Sequence, residues 1–199
     1  MTKDEKSLLD ELDRILRSDE IRAQIQRVVE RVRKDLTRKK EAVMAWEPVP
    51  LQVFGRALPS GIQSSWVFIL RAGANTGAER HPNSHQRMMT LDGTGDMQVG
   101  SQPPSPKLWR AKESAVSGQT SDDAIQWLSN ILVSDLDVPL DERWISIPPN
   151  VWHQPVVATE TDWVVVSFHT VPAEELIEER PGSGEGGTKQ MRYLGKTEK

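Results

Sequence analysis

The chain has 199 residues, 37% of them hydrophobic and 27% charged, with a net charge of -4 and no cysteine. That length suits one domain with appended elements, and the charge balance gives a nucleic acid or a membrane surface nothing particular to hold. Without cysteine there are no disulfides, thiolate metal sites or cysteine nucleophile, so any metal must use nitrogen and oxygen ligands.

The start, Met1-Thr2-Lys3-Asp4-Glu5, has no apolar leader region, and no run approaches the roughly 18 apolar residues that span a bilayer. A cytoplasmic location is therefore expected. Residues 1–45 form a charged arm without glycine or proline, with apolar positions at helical spacing: Leu8, Leu12 and Ile15, then Ile21, Ile25, Val28, Val32 and Leu36. Two helices are predicted, opened by a capping-box-like Thr2-x-x-Glu5 and separated at Ser18-Asp19. The apolar stripe must be covered by the rest of the chain or by a second subunit. Acidic residues interleave with Arg31, Arg33 and Lys34, which favours a solvated face over a nucleic-acid contact.

Residues 46–172 change texture, with prolines and short β-rich runs bounded by turn residues. The predicted strands are Leu51 to Phe54, Trp66 to Arg71, Gln86 to Leu91, Asp96 to Val99, Arg143 to Ile147, Val151 to Val157 and Trp163 to Thr170. Asp92-Gly93 carries a hairpin signal, because such turns need positive φ. A further strand is expected near Leu108-Trp109-Arg110, and Asp122 to Leu132 fits a short helix or a strand. Many short strands argue for a sandwich or barrel. Residues 173–199 read as a tail, with a short helix at Ala173 to Glu179 and then a flexible glycine-rich linker.

The spacing Gly73-x5-Glu79-x-His81-x4-Gln86-x6-Gly93 resembles the first sequence motif of the cupin family, G-x5-H-x-H-x3or4-E-x6-G, and Pro148-x-Asn150-x-x-His153 resembles the second, P-x-G-x-x-H. The resemblance covers about Val49 to Val171. It implies a mainly β fold, a single cupin barrel of the double-stranded β-helix or jelly-roll type behind the helical arm. It also implies a metal site of Glu79, His81, Gln86 and His153, and commonly a homodimer. Two ligand types differ from the usual pattern: Glu79 stands in place of a histidine and Gln86 in place of a glutamate. Some sugar-phosphate isomerases of the superfamily likewise pair a glutamine and a glutamate with two histidines.

Strand parity is consistent with this set. Glu79 and His81 share a face, and Gln86 rejoins it if Pro82-Asn83-Ser84 turns the chain, leaving His85, Arg87 and Met89 outward. His85 is an alternative to Gln86. One carboxylate, one amide oxygen and two imidazoles suit Zn, Fe, Mn or Ni, and the residual positive charge favours a small polar or anionic substrate. His169 reads as a hydrogen-bonded core or rim histidine, and Tyr193, the sole tyrosine, falls in the tail.

No catalytic side chain is assigned. P-loop, dinucleotide-fold and serine-elbow motifs are absent. Three functions remain open: a metal-dependent oxygenase or isomerase, a small-molecule binding barrel with a degenerate metal site, and an assembly protein acting through its arm.

Overall fold

A computed structural model of the chain describes residues 1–55, 58–100, 126–182 and 188–194. The arm forms α1 (Lys3–Arg17) and α2 (Asp19–Arg38). Thr2 Oγ1 accepts the Glu5 amide at 3.2 Å, but the Glu5 carboxylate does not close the box. It reaches instead to Arg87 at 2.6 and 2.9 Å and to Ser146 at 2.6 Å, pinning the start of α1 to the barrel. Ser18 is extended between the helices, and its hydroxyl donates to Ile15 O at 2.9 Å.

Among the described residues eleven strands follow: β1 (Met44–Val49), β2 (Ser64–Leu70), β3 (Gln86–Asp92), β4 (Thr94–Gly100), β5 (Trp127–Leu128), β6 (Ile131–Val133), β7 (Trp144–Ile147), β8 (His153–Val157), β9 (Trp163–His169), β10 (Ile177–Pro181) and β11 (Thr188–Arg192). The first sheet has the order β1-β2-β9-β3-β7, antiparallel throughout. In the second, β4 pairs with β8 on one edge and with β5 and β6 on the other, while β10 and β11 form a two-stranded sheet. Pro48 is tolerated in β1 because β1 is an edge strand.

Strand alternation divides the core in two. Trp66, Phe68, Leu70, Met88, Met97, Trp163 and Val165 fill the barrel interior, whereas Val67, Ile69, Met89, Trp144, Val164, Val166 and Phe168 point outward under the helices. Both faces of β2 and β9 are therefore buried at every position. The arm's apolar stripe, including Leu12, Ile15, Ile25, Val28, Val32 and Leu36, is spent on the chain's own barrel. Buried Asp13 fixes this docking, accepting Arg143 Nη1 at 2.5 Å and Trp144 Nε1 at 2.9 Å. Arg71 closes the end of α2 by donating to Leu36 O and Ala42 O, each at 2.7 Å.

Three local expectations differ from the structure. Leu51–Phe54 is a 3-10 turn rather than a strand, because Pro50 sets its entry and Gly55, at φ 63, ends it. Asp92-Gly93 turns the chain between sheets instead of closing a hairpin, since β3 and β4 belong to different sheets. A Cβ on Gly93 would lie 2.3 Å from Asp162 O, so the corner also excludes a side chain. Ala173 to Glu179 is not helical: one turn follows Pro172, and β10 is then captured by reciprocal amide bonds between Arg80 and Glu179 at 3.0 and 2.9 Å. From the ambiguous stretch before Leu132, the described part gives two short strands around Asn130, and the strand expected at Leu108-Trp109-Arg110 lies outside the described residues. Among the described residues, no helix is long and apolar enough to cross a membrane.

Candidate metal centre

The two spaced motifs meet through backbone. Glu79 and His153 form an antiparallel bridge, each amide donating to the other's carbonyl at 2.8 Å. Asn150, where the second motif usually has glycine, adopts φ 64, and its amide donates to His81 O at 3.1 Å. Asparagine is one of the few residues that tolerates this left-handed conformation, so the motif's geometry survives its change of letter.

Glu79, His81 and His153 are all buried, with ligand atoms within 4.8 Å of one another. His81 Nδ1 donates to Ile177 O at 3.0 Å and His153 Nδ1 to Val151 O at 3.0 Å, because a carbonyl can only accept. Each imidazole is thereby fixed as the tautomer whose Nε2 carries a lone pair. Burial holds both rings down to a pKa of about 4, with His153 adding to the effect on His81 and Arg180 to that on His153. Both are neutral, ligand-ready bases at ordinary pH.

Among the described residues His153 Nε2 is buried without a hydrogen-bond partner, and it lies 3.6 Å from Glu79 Oε1. With Glu79 ionised, two acceptors face each other in a buried site, an arrangement that needs a proton or a cation between them. Two oxygen and nitrogen ligands on one ion at about 2.0–2.2 Å sit about 3–3.5 Å apart, close to this separation. Burial, aided by the charge of Glu178, pushes the Glu79 pKa up to about 8 despite Arg180. The metal-free site thus holds a proton where a cation would go.

Gln86 lines the same cavity as Glu79, and its Oε1 is buried without a partner among the described residues. It pairs in register with His169, whose ring lies 5.2 Å from that of His81. His169 itself is not available: its two nitrogens contact Ser84 Oγ and Ser167 Oγ, each at 3.2 Å. His85 is on the other side of the strand, bonded to Ser146 Oγ at 2.7 Å near Glu5, and does not join the cluster. Arg80 points away as well, paired with Glu179 and stacked over Trp152 at 4.8 Å.

The sequence reading missed the contribution of the tail. On β10, the Ile177 carbonyl orients His81, Glu178 is 1% exposed, and Arg180 Nη2 donates to Glu79 Oε2 at 2.6 Å. Arg180 is locked on its other nitrogens by Glu178 and by Thr76 O at 2.5 Å, so it reserves one Glu79 oxygen and leaves Oε1 toward the histidines. Tyr193 covers the group, its ring centroid 5.4 Å from Trp66, 5.9 Å from Phe68 and 6.5 Å from His81. Burial, with Glu79 and Glu178, pushes its hydroxyl pKa well above the ordinary value, keeping it neutral. Glu178 and Arg180 share one strand face, but a charged run after a proline-bounded turn reads as solvated surface, and no local signal marks it otherwise.

An antiparallel barrel that brings two distant, motif-spaced segments together at one buried cluster settles the architecture. The fold is of the cupin type. No protein-family model matches the chain, and no curated protein matches it by sequence. Solved structures that resemble this cupin-type chain include an oxalate oxidase at 12% identity, covering 65% of this chain and 52% of that one with a TM-score of 0.42. A cupin-like protein from Thermotoga maritima matches at 17% identity, 63% and 66% coverage and a TM-score of 0.38. The cupin domain of Cnp3 from Schizosaccharomyces pombe matches at 9% identity, 63% and 59% coverage and a TM-score of 0.39. The chain spans about half the length of the oxalate oxidase it matches.

Proposed function

We propose that the chain binds one divalent transition metal through Glu79, His81 and His153, with Gln86 as a fourth donor, and acts as a metal-dependent enzyme on a small molecule held in the barrel. The observation that carries this reading is the buried His153 Nε2, without a hydrogen-bond partner among the described residues and set 3.6 Å from Glu79 Oε1. Two histidines and one carboxylate are the ligand set of non-haem iron oxygenases, while the added glutamine donor also matches some sugar-phosphate isomerases, so the cavity wall rather than the ligand set separates the two. When bound, the metal would supply Lewis acidity and, for iron, one-electron chemistry toward dioxygen.

The chain's own residues supply the rest. Ile177 O and Val151 O hold the imidazoles in the ligating tautomer, and Arg180 orients the carboxylate. The cavity beside Glu79 and Gln86 is walled mainly by Met44, Phe68, Leu70, Met88, Met97, Pro155, Trp163 and Val165. A sugar phosphate would find little there to bind its charges, so the isomerase alternative has weaker support.

One observation favours a metal-free binding barrel as a second reading: a protonated Glu79 can itself satisfy His153. Anaerobic titration with Fe(II), followed by oxygen uptake in the presence of small organic acids, tests the two together. Stoichiometric binding with acid-dependent oxygen consumption is expected. Stoichiometric binding without uptake in any mixture would remove the oxygenase assignment, and no binding would leave the metal-free barrel.

A further inference from the structure

A cleft of about 290 Å³ lies between α2 and the outer face of the first sheet, close to the lower end of the roughly 300–1,000 Å³ of small-ligand sites. Arg22, Gln26, Val29 and Arg33 line it from α2, at i, i+4, i+7 and i+11, and so form a single stripe along the helix. Its floor is apolar. Ile25 and Val29 are buried on the helix side, and Val164 of β9 is buried opposite them.

A β-bulge shapes the sheet side of the cleft. Thr90 faces Val165 and Asp92 faces Val164, so Leu91 is an extra residue in β3. Residues paired across strands share a face, and the bulge therefore turns Asp92 to the helix side, where its carboxylate accepts Arg33 Nη2 at 3.3 Å. One arginine is neutralised there. At the other end of the stripe, about 16 Å away at about 1.5 Å of rise per residue, Arg22 is exposed and forms no ion pair among the described residues.

We infer that this cleft is a second binding site, for a small amphipathic monoanion whose head pairs with Arg22 and whose apolar body lies on Ile25, Val29 and Val164. Two arginines against one aspartate leave the lining with one net positive charge, which sets the sign of the ligand. A dianion would have to break the Arg33–Asp92 pair to place its second group. The site is separate from the metal centre, because Val164 faces the cleft while Val165 faces the barrel interior. It does not rest on the metal-bearing reading.

The test titrates the full chain calorimetrically with octanoate and with octanol, which shares its length but not its charge. Wild type should bind one octanoate, and Arg22→Glu should weaken it by about fivefold or more, the upper worth of one exposed ion pair, with octanol changed by less than about twofold. Gln26→Glu, also at the exposed rim, should act in the same direction on octanoate alone. Val29→Phe fills the cleft and should weaken both ligands. No saturable octanoate binding in wild type, or an octanoate affinity unchanged within about twofold in both charge variants, would overturn the inference whatever the protein's metal content.

Discussion

Glu79 and His153 are far apart in the chain yet exchange both backbone hydrogen bonds at 2.8 Å, so the register of the two metal-ligand candidates is fixed by main chain before any side chain acts. The side chains then face each other at 3.6 Å, acceptor against acceptor once Glu79 is ionised. Backbone and side chains together make a site preorganised for a cation, with a proton on Glu79 in its place when no cation is bound.

Gln86 gives the first prediction. The residue lines the cavity and its Oε1 has no partner among the described residues, so Gln86→Glu should add a second anionic ligand, tightening Co(II) binding by at least about tenfold, or 1.4 kcal/mol. The same change should lower the melting temperature of metal-free protein, because a buried charge is added without a partner. Calorimetry on both forms checks this, and equal or weaker affinity would show that Gln86 is not a ligand.

Proton linkage gives the second. The Glu79 pKa is raised to about 8, so the metal-free folded state holds a proton there between the ordinary carboxylate range and about pH 8, and a metal must expel it. Affinity should therefore rise with pH by about one logarithmic unit per pH unit from about pH 5 to 8, then level off. His81 and His153, held at about 4, are already neutral across that window and add nothing. Titration in buffers of different ionisation enthalpy should show about one proton released per metal at pH 6.5, and no release would contradict the assignment.

The sequence carried the site's inner residues but not their surroundings. The cupin-like motifs named Glu79, His81, Gln86 and His153 as one set, and the structure brings Glu79, His81 and His153 within 4.8 Å of one another with Gln86 on the same cavity as Glu79. Strand parity sent Arg87 and Met89 outward, because period-two alternation is a property of the chain itself. Glu178, Arg180 and Tyr193 were hidden because their burial comes from β10 pairing with the Arg80 segment, a non-local event that no local propensity records. Leu51–Phe54 failed for a related reason: its β-like letters sit between Pro50 and Gly55, whose backbone limits decide the conformation.

Asn150 gives a third prediction. At φ 64 an alanine would pay the left-handed penalty of about 1–2 kcal/mol, so Asn150→Ala should lose about that much stability in urea denaturation, while Asn150→Gly should stay within about 0.5 kcal/mol of wild type. Equal behaviour of the two variants would mean that the turn is not held left-handed.

Docking of the arm gives a fourth. Burial pushes the Asp13 carboxyl up, but hydrogen bonds from Arg143 and Trp144 outweigh it and hold the group below its usual range. That stabilisation is present above the unfolded pKa and is lost as pH falls through the lower folded value. Asp13→Ala leaves Arg143 buried and unpaired and should cost about 3–5 kcal/mol. Since Asp13 lies on the outer layer, metal affinity of the folded fraction should be unchanged. A loss below 1 kcal/mol would mean that the arm is not anchored there.

The most direct test of the central claim is metal stoichiometry by elemental analysis of untagged protein, as purified and after anaerobic reconstitution with Fe(II) and Co(II), beside the Glu79→Gln, His153→Ala double variant. The account predicts about one equivalent in wild type and less than about a tenth in the variant. Less than about a tenth of an equivalent of any transition metal in reconstituted wild-type protein would contradict it.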